Sequence, residues 1–121
     1  MNSASLSMKV FGGYVAVIGV GLLLAPALVF APLGLPAPAD AWVRVLGALS
    51  IVVSYYYWRC GSEGVTAFMR ASVMGRMIFA VLCVALVATR TGPIQLLLFG
   101  AIDALSALWT ARALKSAAAV N

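Results

Sequence analysis

The stretch "IQLLLFGAIDALSALWTARAL", residues 94–114, decides the fold. It runs almost without charge, broken by one carboxylate, Asp103, and by Arg112 near its end. Crossing a bilayer core of about 30 Å takes roughly 20 helical residues. The stretch fits that length, and it does not alternate apolar with polar residues as a lipid-facing barrel strand would. It predicts a transmembrane helix with an acid near its middle.

Three other stretches repeat the pattern: "VFGGYVAVIGVGLLLAPALVFA" from residue 10, "WVRVLGALSIVVSYYYW" from residue 42, and the run ending in "MIFAVLCVALVAT" at residue 89. Of the 121 residues, 64% are hydrophobic and 9% charged, and the mean hydropathy is +1.09. A soluble domain carries about 25% charged residues, and a small one has much surface to cover. Lipid is the expected solvent. The reading is an all-α polytopic membrane protein forming one domain over 1–121. Four transmembrane helices, at about 10–31, 42–58, 68–89 and 94–114, form an antiparallel up-down bundle. "APLGLPAPAD", "RCGSEG" and "RTGP" supply the turns. The apolar run after Lys9 is longer than a secretory h-region of about 7–15 residues, so the first helix is expected to stay.

The net charge is +5. Lys9, Arg59, Arg70, Arg112 and Lys115 fall on the side of the two termini, and Arg44 and Arg90 on the other. Short loops rich in Lys and Arg stay cytoplasmic, which places both termini inside and makes anionic lipid headgroups a partner. No basic cluster sits on a soluble face, so nucleic acid is not an expected partner. Cys60 and Cys83 lack a paired motif and read as packing residues. The absence of histidine removes bis-histidine haem, the usual zinc sites and histidine acid-base chemistry. No cofactor and no metal site are expected.

In lipid, helices associate through small residues and polar contacts, so stripes of these mark the bundle interior. Gly12, Ala16 and Gly19 share a face of the first helix. Gly47, Ser50, Ser54 and Tyr57 share one on the second. Arg76, Phe79, Cys83 and Val87 share one on the third, and Gln95, Phe99, Asp103, Ser106 and Thr110 one on the fourth. Tyr55, Tyr56, Tyr57 and Trp58, with Trp42, have the composition of interfacial anchors. A charge near the bilayer centre costs about 2.5–3.5 kcal/mol on insertion scales, so Asp103 must be paired, protonated or hydrated. Two arrangements are open: an ion pair with Arg76, or a hydrogen-bonded acid satisfied by Ser50 or Ser54. The candidate ligand or proton site is Asp103, Arg76, Ser50, Ser54, Tyr57, Ser106 and Trp109. No residue is assigned a catalytic role.

"LGALS" at 46–50 and "FGAID" at 99–103 align, with Arg59 and Arg112 each twelve residues past the glycine. This suggests a weak internal repeat of two hairpins, with the polar seam expected between the second and fourth helices.

The turn "APALVFAPLGLP", the W-x-R-x-x-G of Trp42, Arg44 and Gly47, the GR-x-x-F of Gly75, Arg76 and Phe79, and the D-x-x-x-A-x-W-T of Asp103, Ala107, Trp109 and Thr110 resemble the small DoxX-like four-helix bacterial membrane proteins. The resemblance spans nearly the whole chain. It implies a four-helix bundle in the bacterial inner membrane, with possible oxidoreductase or quinone-linked partners.

Three functions compete. The first is a non-catalytic bundle binding an apolar small molecule or a membrane partner through the polar seam. The second is a small proton-coupled transporter using Asp103 and acting as a homodimer. The third, a membrane enzyme, has a thin acid-base inventory.

Overall fold

The computed structural model describes residues 2–120, and side chains through residue 118. All its regular elements are helical: α1 (Ser3–Leu24), α2 (Pro26–Phe30), a 3-10 turn (Ala31–Leu33), α3 (Trp42–Glu63), α4 (Thr66–Ala88) and α5 (Leu96–Val120). Among the described residues α1, α4 and α5 are long and apolar enough to cross a membrane. At 22 residues, α3 reaches about 33 Å at 1.5 Å per residue. Its serines, tyrosines and Arg44 make it less apolar than the other three.

The helix bounds differ from the sequence reading: α3 and α5 run on past their expected ends to Glu63 and Val120, and three further differences each have a local cause. The polar segment before Lys9 is helical, because Asn2 caps it: its Oδ1 accepts from the Ser5 N–H at 2.8 Å. The first apolar run is two helices rather than one. Pro26 has no N–H for the Leu22 carbonyl, Ala25 leaves helical geometry, and α2 restarts with Pro26 in its first turn. Arg44 then donates to the Leu23 carbonyl at 2.6 Å, a cation on the exposed carbonyl end of α1. Finally α4 begins at Thr66, after Gly64 closes α3 in the left-handed conformation (φ 68°).

The helices pack in the order α3, α1, α5, α4, with α3 and α4 touching little. The α1–α3 crossing is closest where glycines meet. A Cβ on Gly47 would lie 2.6 Å from the Gly19 carbonyl oxygen and 2.6 Å from the Leu23 nitrogen. A Cβ on Gly100 would meet Cys83 at 3.3 Å, so the two glycines of the weak repeat each sit at a helix crossing. The seam expected between the second and fourth helices is not formed. The small face of α3 packs on α1 instead.

At the end holding the N-terminus of α1 the bundle is closed by Ala4, Met8, Phe11, Tyr57, Met69 and Ala113. Away from that end α3 and α4 diverge, and α2 with the 3-10 turn folds under the gap. Gln95 holds this floor by donating to the Leu33 carbonyl at 3.0 Å.

Candidate functional site

The divergence of α3 from α4 opens a cleft of about 530 Å³. Its walls are almost wholly apolar, with Leu22, Val29, Phe30, Leu46, Phe79 and Phe99 prominent, and Arg76 and Asp103 are its two charged residues. Ligand sites of drug-sized molecules span roughly 300–1,000 Å³ and combine apolar walls with a few polar groups. Leu46, Val53 and Phe79 are exposed although they line the cleft, so it opens sideways, between α3 and α4.

Arg76 is 2% exposed and is held by neutral groups. Its Nε donates to the Ser72 carbonyl at 3.2 Å. Nη1 donates to Ser106 Oγ at 3.2 Å. Nη2 donates to Ser72 Oγ at 3.0 Å and to Thr110 Oγ1 at 2.9 Å, with Met8 Sδ at 3.7 Å. The Phe11 and Tyr57 rings lie 4.9 and 5.5 Å from the guanidinium carbon, within cation–π range. Thr110 is itself bridged to Ser7 at 2.7 Å. One arginine thus ties α4 to α5, and through Thr110 and Ser7 to α1.

Of the two arrangements left open for Asp103, the ion pair with Arg76 is not made. The ion pair found among the described residues is the exposed Arg59–Glu63 contact. With α4 starting at Thr66, Arg76 sits level with Ser106 and Thr110, one and two turns past Asp103 along α5. The acid satisfied by Ser50 or Ser54 is not found either: those hydroxyls donate to the Leu46 and Ile51 carbonyls of their own helix. Among the described residues the Asp103 carboxyl oxygens take no hydrogen bond, while every buried side-chain polar atom has a partner. The carboxyl group is therefore open to the cleft.

Of the residues singled out from the sequence, Asp103, Arg76, Ser50 and Tyr57 line the cleft, and Ser106 supports Arg76. Ser54 is buried against α1, its carbonyl 3.3 Å from where a Gly12 Cβ would stand. Trp109 faces the other side of the bundle, where its Nε1 donates to Ser3 Oγ at 3.2 Å. There it lines a smaller cavity of about 180 Å³ with Ser7, Tyr14 and Ile102. Tyr57, grouped with the interfacial aromatics, is 8% exposed and packs between Phe11 and Phe68. Tyr55, Tyr56, Trp58 and Trp42 are exposed, and Lys9 lies over the Trp58 ring.

Three members of the arginine's shell were not singled out, Ser72, Met8 and Phe11, nor was Ser7 behind Thr110. Ser72 stands four residues before Arg76 on the same helical face, a signal that spacing alone carries. Ser7 and Met8 belong to a segment whose helicity rests on the Asn2 cap. No family model, characterised protein or solved structure matches the chain.

Proposed function

We propose that the protein is a small multi-pass membrane protein that binds an apolar ligand in the lateral cleft between α3 and α4, without catalysing its conversion. The observation that carries this reading is the pairing of a 530 Å³ apolar cleft with an unpartnered carboxyl group, Asp103, on its wall. Apolar surface gains nothing by facing protein rather than lipid tails, so two spans that separate around a polar group leave room for an occupant taken from the bilayer. Arg76, Ser72, Ser106 and Thr110 hold the polar end of the cleft rigid. A fourth span by α3, both termini on the cytoplasmic face of a bacterial inner membrane, and a place among the DoxX-like proteins belong to the same proposal. Their support is the basic residues around the helix ends and the motif residues Arg44, Arg76, Asp103 and Thr110.

An alkyl diazirine in nanodiscs tests the binding. It is expected to label Leu46 and Phe79 saturably at low mole fraction. Val81 and Leu105, exposed on outer faces, are expected to label in proportion to probe concentration. Proportional labelling at all four positions defeats the reading.

The carboxyl group open to the cleft also favours a second reading, proton-coupled transport with Asp103 as the proton carrier in a dimer. It requires substrate flux driven by a pH gradient across vesicles and abolished in Asp103→Asn.

A further inference from the structure

The apolar-ligand reading leaves open what chemistry the ligand's polar end carries, and the wall of the cleft narrows it. Arg76 and Asp103 are the only charged side chains among the residues lining it. They are adjacent along the seam, Asp103 one turn before the Ser106 that accepts from Arg76, yet make no ion pair. An arginine has five N–H donors. Nε uses one, Nη2 both of its own, and Nη1 one, on Ser106. One Nη1 proton is left without an acceptor among the described residues. Asp103 has acceptor oxygens without donors. The two charged residues lining the cleft therefore include one with a donor left over and one with unfilled acceptors.

A charged head group does not suit this pair. With Arg76 as cation and Asp103 as carboxylate the wall is neutral, and a charged head would leave a net charge in an apolar setting, which is costly. A head with acceptors alone would leave Asp103 unfilled, and a head without polar atoms would leave both. A hydroxyl group both donates and accepts, and so satisfies the two at once. Resting on the apolar-ligand reading above, we infer that the cleft takes an uncharged amphiphile with a hydroxyl head. The head bridges Asp103 and Arg76, and the apolar body lies along Leu22, Leu46, Phe79 and Phe99. Entry is lateral, from the membrane, because the opening lies between α3 and α4.

Competition against the alkyl diazirine probe in nanodiscs of the full chain tests this. Dodecanol, dodecylammonium, dodecanoate and dodecane are titrated as competitors of labelling at Phe79. Dodecanol is expected to compete at a mole fraction about tenfold below that of dodecane, as a hydrogen bond to a charged group implies. Both charged heads are expected to compete no better than dodecane. In Asp103→Leu the advantage of dodecanol is expected to fall, since only the bond from Arg76 remains, while dodecane competes as before.

The inference is overturned if dodecylammonium or dodecanoate ranks first, or if dodecanol keeps its full advantage in Asp103→Leu. The head-group ranking in the unaltered protein decides even if that variant does not fold. Equal competition by dodecanol and dodecane sinks the hydroxyl head alone and leaves an apolar site. Unsaturable labelling at Phe79 sinks both the head group and the binding site.

Discussion

Arg76 donates to Thr110 Oγ1 at 2.9 Å, across the α4–α5 interface and two turns along α5 from Asp103, whose pairing with it the sequence left open. A buried cation held by hydroxyls and aromatic rings thus stands beside a cleft whose acid, Asp103, takes no hydrogen bond among the described residues. Arg76 fastens the bundle. Asp103 is left available.

Thr110 is fully buried and serves both Arg76 and Ser7. Thr110→Val keeps the shape and removes the acceptor, leaving an arginine donor unsatisfied at about 1–3 kcal/mol. Thr110→Ser keeps the oxygen and is expected to cost less than Val. Unfolding in mixed micelles, compared across the two variants, measures the difference; equal losses would assign the effect to packing.

Asp103→Asn is expected to shift stability by less than about 0.5 kcal/mol, because no protein group among the described residues depends on its charge. Arg76→Lys is expected to cost more than about 2 kcal/mol, since an ammonium lacks the planar fork that reaches Ser72, Ser106 and Thr110 together. The same unfolding assay checks both. A stability loss at Asp103→Asn as large as that at Arg76→Lys would mean that the two residues are coupled.

Gly47→Ala places a methyl group 2.6 Å from the Gly19 oxygen and the Leu23 nitrogen, both backbone atoms that cannot swing aside. Overpacking of this kind costs about 1–3 kcal/mol. Gly13→Ala meets nothing within 4 Å and is expected to be neutral or to gain up to about 1 kcal/mol from helix propensity. Thermal unfolding of the two single variants should separate them in sign.

The crossing of α3 is testable by thiol accessibility. In a Cys60→Ser background, Pro38→Cys stands before α3 and Ser62→Cys in its last turn, both at exposed positions. A membrane-impermeant maleimide applied to intact cells should label Pro38→Cys and reach Ser62→Cys only after permeabilisation. Labelling of both from one side would mean that α3 lies along the interface.

The all-helical architecture was legible because long apolar runs without alternation admit no other lipid-soluble backbone. The contribution of Arg76 and Ser106 to one polar cluster was legible too, since helical spacing turns both inward. The α1–α3 contact was half legible: Gly12, Gly19 and Gly47 announced close approach but not which helix would meet which. Stripes of small residues are chemically alike on every helix, so only the packed structure pairs them. Tyr57 was read two ways, on the inward face with Ser50 and Ser54 and among its three aromatic neighbours as an interfacial anchor, and only the packed structure decided for burial.

By itself the sequence determined the long apolar helices suited to a membrane and most of their inward faces, consequences of composition and local spacing, while the break at Pro26, read as continuous helix, emerged only in the structure. Tertiary structure alone decided that Arg76 rests on Thr110 rather than on Asp103. It alone parted α3 from α4 and left the carboxyl group looking into the opening. Those outcomes depend on the register of α4 against α5, and that register is set by where Arg76 finds its hydroxyl groups and where Gly100 lets the two backbones approach.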